Sequence, residues 1–313
     1  MERKTVDLHI HSGHSSDGTY SVHELFEKAA EYGMEAIIIA DHDTWEAAGE
    51  AQKESKDLGI QTLPALELSC IDEGRMVHLL GYGIDISGGH TLAKLTAEIQ
   101  KSRLDILPAI KENLEKEGFV VDMEQVEKLA YPQPPVITNF ANAILTDPRN
   151  RDHPKLRPYQ KGGTKSDQPY IHFIRDYLTA GSPCYVPEYT VDIYTGIRTV
   201  RDAKGVPVLA HPGEWFTRAD EGKLPLMLEC GLQGIEVYTP YHNPQKTVYF
   251  RRLADKNGLL KTAGSDYHDE KKKPGHSMGM TEQADMKMFD ALKELTEKNG
   301  QGRRQREIQT FSS

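Results

Sequence analysis

Cysteine is scarce in this sequence. Cys70, Cys184 and Cys230 are the only three in 313 residues, widely spaced and without a CxxC pair. An odd, scattered set does not build a disulfide framework, and it points to a reducing compartment. Long apolar runs are missing as well. Met1-Glu2-Arg3-Lys4 leads straight into a strand-like segment with no signal-peptide core, and no run of membrane length follows. The expectation is a cytoplasmic chain with no membrane partner. Basic excess is also absent, since the formal net charge is -9. That argues against binding nucleic acid through a broad basic face. A small anionic ligand stays open, because bound cations can invert the local field.

What is present fits an ordinary globular chain: 27% charged and 38% hydrophobic residues. The length suits one large barrel with an insertion, or two ordinary domains. Short apolar runs alternate with helical spacing. Val6 to Ile10, Ala36 to Ala40, Gln61 to Leu68, Val77 to Gly81, Val206 to Ala210, Gly234 to Val237 and Leu259 to Ala263 read as seven strands. Ser21-Val22-His23-Glu24 has the pattern of a capping box, and Gly59 is a plausible stop for a helix from Trp45 to Leu58. This alternation predicts an α/β fold with a parallel sheet, open or closed into a barrel. Residues 91–204 break the rhythm with long helical stretches and a Pro/Gly-rich loop from Asp147 to Asp167. The expected division is a barrel from 1–90 and 205–285, a helical insertion or cap from 91–204, and a C-terminal helix and tail from 286–313. The last helix is expected over Asp285 to Lys298, with a loose polar tail after Gly300.

Nearly every strand candidate ends in a possible metal ligand. His9 and His11 close the first, Asp41 and His42 the second, and Glu67 the third; His78 opens the next. His211 follows Ala210, and Asp266 and His268 follow the last. In parallel α/β folds the strand C-termini converge on one mouth, and side chains two apart on a strand face the same way. Imidazole and carboxylate suit zinc, manganese or iron, and no thiol belongs to the set. Each motif alone is weak: 13 histidines give one His-x-His pair at roughly even odds. The repeated coincidence with strand ends is the signal.

Six segments in order carry a resemblance. They are Asp7-Leu8-His9-Ile10-His11 with Ser16-Asp17-Gly18, Ala40-Asp41-His42-Asp43, Glu67-Leu68-Ser69, His78-Leu79-Leu80-Gly81-Tyr82, Leu209-Ala210-His211-Pro212-Gly213, and Gly264-Ser265-Asp266-Tyr267-His268. Together they resemble the PHP (polymerase and histidinol phosphatase) family from about residue 5 to residue 280. The resemblance implies a distorted seven-stranded (βα) barrel with two or three divalent ions (Mn, Fe or Zn). It implies one ion on His9, His11, Glu67 and Asp266, and a second on Glu67, His78 and His211 with Glu67 bridging. A third would lie on Asp17, His42 and His268. Asp41 reads as an acceptor that orients a histidine. The implied activity is hydrolysis of a small phosphorylated substrate by metal-activated hydroxide. The chain has no Cys/Arg phosphatase loop and no P-loop, so a protein nucleophile has little support.

Within the family, the helical insertion and Ala180 to Pro187 resemble stand-alone phosphatases. Some act on nucleoside monophosphates or 3',5'-bisphosphate nucleotides, and related ones trim RNA from the 5' end. Where that subgroup carries Arg-Pro-His, this sequence reads Pro135-Val136-Ile137-Thr138-Asn139, which weighs against a nucleotide. His242 is the candidate for protonating the leaving group. Arg157, Lys161 and Lys165, with Arg149, Arg151 and Lys155, are candidates for a second substrate phosphate. The competing readings are a histidinol phosphatase, a 5'-end exonuclease, an amidohydrolase-type metal hydrolase, and a non-catalytic metal-stabilised binding module.

Overall fold

The computed structural model describes residues 6–131, 133–270, 275–281 and 283–311. The chain forms two compact units, Met1–Thr96 with Thr190–Ser313, and Ala97–Tyr189. The first is a mixed α/β unit. Its strands are β1 (Val6–Ile10), β2 (Ala36–Ile39), β3 (Ala65–Asp72), β4 (Arg75–Tyr82), β5 (Val191–Asp192), β6 (Val206–Leu209), β7 (Gly234–Tyr238) and β8 (Leu260–Ala263). Helices α1 (Val22–Glu31) and α2 (Ala47–Leu58) follow β1 and β2, and α3 (Thr91–Lys116) follows β4. In the Ala97–Tyr189 unit lie α4 (Met123–Ala130), α5 (Ile137–Thr146) and α6 (Pro169–Tyr177). Then come α7 (Ile193–Asp202), α8 (Leu224–Glu229), α9 (Pro244–Asn257) and α10 (Met286–Phe311).

The caps read from sequence form as expected. The Ser21 hydroxyl accepts from Glu24 N at 3.2 Å while Ser21 N donates to the Glu24 carboxylate at 2.7 Å. Gly59 ends α2 in the left-handed conformation, φ 70°. Two expectations need correction. The sheet is not all parallel: β4 runs antiparallel to both β3 and β6. The cause is the two-residue turn Glu73-Gly74, with φ of 49° and 80°, which is the geometry of a tight hairpin. The final helix also runs on past Lys298 to Phe311. The residues beyond Gly302 are mostly good helix formers (Arg, Gln, Glu).

The helical unit is narrower than 91–204. Helix α7 packs on β3, β4 and β6, burying Ile193, Ile197 and Val200. Its spacing marks it as a helix, but spacing does not say against what a helix packs. The Ala97–Tyr189 unit has its own core around Phe119, Phe140, Leu156 and Phe173. Its loop from Asp147 to Asp167 is folded as two short 3-10 turns around buried Asn150, whose amide bonds Val120 N, Val120 O and Ile144 O.

Backbone pairing leaves β1 and β2 as a two-stranded sheet, beside a six-stranded sheet ordered β5-β3-β4-β6-β7-β8. Single bridges join them: His11 N donates to Tyr267 O and Asp266 N to His9 O on one side, Asp43 N to Glu67 O and Glu67 N to Asp41 O on the other. Where the ladders are this thin, three buried aspartates take over. Asp7 accepts from Ser265 N and Oγ at 2.9 and 2.6 Å. Asp41 accepts from Ser12 N and Oγ, and Asp43 from Ser69 N and Oγ, each bond 2.7 Å. Each clamp fastens a strand end to its neighbour, β8 to β1, β1 to β2 and β2 to β3. Asp41 therefore holds a backbone turn and not a histidine, which corrects the role expected for it.

No described helix is long and apolar enough to cross a membrane. One prediction follows from the clamps. Asp43→Asn keeps a residue type that tolerates the φ of 53° but exchanges one of the two acceptor oxygens facing Ser69 for a donor, and should cost about 1–3 kcal/mol in urea unfolding. Exposed Asp57→Ala should stay within about 0.5 kcal/mol of wild type. Equal stability for the two variants would show that the clamps do not hold the strands.

Candidate active site

The turns that the aspartates pin carry the histidines and carboxylates. His9 is the penultimate residue of β1 and His11 follows the strand; both are fully buried. Their Nε2 atoms lie 3.1 Å apart. Two atoms bound to one ion at about 2.1 Å, spread by about 90–110°, sit about 3.0–3.4 Å apart. Three of the other separations fall in that range: Glu67 Oε2 is 3.3 Å from both Nε2 atoms and Asp266 Oδ1 is 3.1 Å from His11, while Asp266 Oδ1 to His9 is wider at 3.7 Å. These four residues form one group whose ligand atoms lie within 4.8 Å of each other; His11, Asp17, His42 and His268 form another, and His42, Glu67 and His78 a third.

Glu67 is the hub. Its Oε2 faces His9, His11 and His42, while Oε1 faces His78 at 3.2 Å and His211 at 2.9 Å. His268 Nε2 stands 3.0 Å from Asp17 Oδ2. Three buried atoms, Glu67 Oε2, His42 Nδ1 and His268 Nε2, make no hydrogen bond in the structure despite these short approaches. Buried polar atoms left this way are costly unless a cation completes them, so the donor set fits divalent ions.

Outer partners fix the rings. His9 Nδ1 meets Glu236 Oε1 at 3.1 Å, His11 Nδ1 meets Ser15 Oγ at 3.2 Å, and His268 Nδ1 meets the Asp266 carbonyl at 3.0 Å. Each leaves Nε2 aimed at the cluster, the usual device for setting a ligating tautomer. Gly264 must be glycine, because a Cβ there would lie 2.3 Å from His9 Cβ and 2.4 Å from Glu236 Oε1. Asp43, His211 and Asp266 take positive φ of 53°, 26° and 52°, a strain that non-glycine residues tolerate where surroundings over-determine them.

All nine residues expected as ligands meet here. His242 does not join them. It is buried, its Nε2 accepts from Gly213 N at 2.8 Å and its Nδ1 donates to Val237 O at 2.9 Å. Both nitrogens are spent on backbone, so the expected proton donor is instead a turn-holding residue. Arg157, Lys161 and Lys165 belong to the Ala97–Tyr189 unit. Lys165 is ion-paired with Asp176, as Arg149 is with Asp122 and Asp147 and Lys155 with Glu117. Sequence reasoning missed Glu236 and Tyr241, whose hydroxyl donates to Asp266 Oδ2 at 2.6 Å. A carboxylate inside the apolar run Gly234 to Tyr238 was the available signal for Glu236.

Electrostatics follow from the crowding. Burial works to raise Glu67, but the neighbouring His78, His9 and His42 hold it well below the usual carboxylate range. Burial works to lower His42, and Asp17 and Glu67 overcome it, lifting the imidazole to about 9. His9 is lifted in the same way, burial opposed by Glu67 and Glu236. His11 falls to about 4, through burial and then the charge of His268. Without cations, protons balance the carboxylates.

An α/β chain that gathers imidazoles and carboxylates in this way has the make-up of a metal-dependent hydrolase. The PHP domain model matches residues 7–128. A phosphoribosyl 1,2-cyclic phosphate 1,2-diphosphodiesterase of Eggerthella lenta is 31% identical over 84% of this chain and 93% of its own length. A 3',5'-nucleoside bisphosphate phosphatase of Chromobacterium violaceum is 29% identical over 84% and 87%. A solved Bifidobacterium adolescentis structure, named for metal-dependent phosphoesterase activity, superposes with a TM-score of 0.76 at 26% identity, covering 92% of this chain and 95% of that one. The chain belongs to the PHP family and is a metal-dependent phosphoesterase.

The proton balance gives a prediction. A histidine raised from 6.5 to about 9 contributes stability that is complete below pH 6.5 and lost as pH rises through 9. The lowered histidines act only below 6.5. Metal-stripped protein should therefore lose thermal stability between pH 6.5 and 9, and Mn²⁺ should bind with proton release at pH 7.5. Calorimetry in buffers of different ionisation enthalpy measures that release. Zero release, with a flat apo stability profile, would refute the assignment.

Proposed function

We propose that this phosphoesterase hydrolyses a phosphate ester of a small ribose-bearing molecule, with two or three divalent ions held by His9, His11, Asp17, His42, Glu67, His78, His211, Asp266 and His268. The observation that carries it is Glu67, whose two oxygens face two different sets of imidazoles. In this reading one ion would be held by His9, His11, Glu67 and Asp266 and another by Glu67, His78 and His211. His42, Asp17 and His268 hold a third, with His11 at its edge. Such ions, when bound, supply charge for the phosphate oxygens and lower the pKa of water at neutral pH.

The protein's own part is placement. The Asp–Ser clamps and the strained turns hold the ligands before any ion arrives, so little reorganisation is left for the reaction. Tyr241 lines the pocket and its hydroxyl donates to Asp266 Oδ2, oxygen to oxygen 2.6 Å, which steadies the carboxylate that faces His9 and His11. The single bridges between the two sheets support a further part of the proposal, that β1 to β4 and β6 to β8 close as a distorted seven-stranded barrel. The ribose comes from the phosphoribosyl substrate in the name of the Eggerthella lenta relative, and the nucleoside bisphosphate in the name of the Chromobacterium violaceum relative is a phosphorylated sugar compound as well. Arg157 and Lys161 stay in the proposal as cations for outlying negative charge on the substrate. A reducing, cytoplasmic setting belongs to it too, and all three cysteines are free thiols.

Two variants test the site. Asn tolerates the left-handed conformation that Asp266 holds, so Asp266→Asn should keep its fold, as should His9→Ala. Each should lower phosphate release by more than about 100-fold, the upper range for losing even a supporting residue of a metal site. Bound metal by mass spectrometry should fall in parallel. Turnover near wild type in either one ends the proposal.

A further inference from the structure

The pocket beside the ligand cluster has a second wall. Beyond His42, Glu67, His78, His211 and Asp266 it is lined by Met76, Val77, Glu214, Trp215 and Tyr241. No Lys or Arg lines it among the described residues. The cations close by in sequence are spent on backbone: Arg75 Nη1 donates to Trp215 O at 3.0 Å and Lys246 Nζ to Gly213 O at 2.7 Å. Arg75 is also tied to Asp72 and Asp220, at 2.9 and 2.7 Å. What this wall offers a leaving group is one exposed carboxylate, Glu214, and a half-exposed Met76.

Glu214 stands on a braced turn, Pro212–Glu214. His242 accepts from Gly213 N, Lys246 holds Gly213 O, and Arg75 holds Trp215 O. Gly213 is packed so closely that a Cβ would lie 2.4 Å from the His242 ring. The backbone that carries Glu214 is therefore held before a ligand arrives, and the side chain lines the pocket from that fixed point. A carboxylate repels a phosphate placed against it, and it accepts two hydrogen bonds from a pair of adjacent hydroxyls, as acidic residues do with ribose.

We propose that Glu214 is a specificity residue that accepts from the vicinal diol of the ribose on the leaving side and turns away esters with a phosphate at that place. This deepens the phosphoesterase reading above and rests on it. The substrate class becomes a ribose monoester with its 2',3'-diol free, in preference to a 3',5'-bisphosphate.

The test is kcat/KM with Mn²⁺ supplied, for a ribonucleoside 5'-monophosphate, its 2',3'-dideoxy counterpart and the matching 3',5'-bisphosphate. Wild type, Glu214→Gln and Glu214→Lys are compared, with p-nitrophenyl phosphate as a generic ester. Wild type should favour ribose over dideoxyribose by about 10-fold or more, the scale of a lost hydrogen bond to a charged group. Glu214→Gln should bring that ratio to within about threefold of one, and Glu214→Lys should shift preference toward the bisphosphate by about 10-fold. Phosphate release with equal rates on ribose and dideoxyribose, or a ratio unchanged by Glu214→Gln, overturns the role of Glu214 alone. Release from none of the esters, p-nitrophenyl phosphate included, removes the phosphoesterase reading and this inference with it.

Discussion

Five imidazoles crowd one buried carboxylate. His9, His11, His42, His78 and His211 all approach Glu67 within 2.9–3.3 Å. Packing so many lone pairs into a dry site is unfavourable unless positive charge sits among them. Protons can supply it, and the raised His9 and His42 show where they would reside. Divalent cations supply it with better geometry, because the separations already match a shared coordination sphere.

That crowding sets what the scaffold must do. Ligands that repel one another when bare have to be held by something other than their own attraction. The site lies where the two sheets meet through single bridges, so ladder hydrogen bonds alone cannot hold it. The Asp7, Asp41 and Asp43 clamps replace them with carboxylate–amide and carboxylate–hydroxyl bonds, which are stronger than neutral pairs. Each clamp ends within two residues of an expected ligand: Ser265 beside Asp266, Ser12 beside His11, Asp41 and Asp43 on either side of His42, Ser69 two after Glu67. The strained φ of His211 and Asp266 persists in the same surroundings.

Much of this was legible in the sequence because strand ends and ligands coincide. Val6 to Ile10 followed by His11, or Ala36 to Ala40 followed by His42, announces both an element and its cargo. Direction was not legible, since an apolar run reads alike in a parallel or an antiparallel strand. The clue to the β3–β4 hairpin was the short Glu73-Gly74 turn. Packing partners were hidden too: α7 has the spacing of an insertion helix yet covers the sheet. Single-residue chemistry was the hardest part. His242 read as a rim histidine able to protonate the leaving group, whereas both its nitrogens go to backbone, Val237 O five residues back and Gly213 N 29 residues back. Glu236, buried in an apolar strand, read as nothing and orients His9.

The division between cluster and rim explains how one fold can serve different esters. The cluster is over-determined: charge, clamps and the close approach at Gly264 leave few residues that could change singly without exposing a buried polar group. The rim is under no such pressure. Glu214 is exposed and its backbone is braced by neighbours that do not touch its carboxylate. A change there alters what the pocket offers a leaving group while the ligand cage stays intact. Substrate choice in this chain should therefore be sought in such side chains, which a fixed turn presents and nothing else constrains.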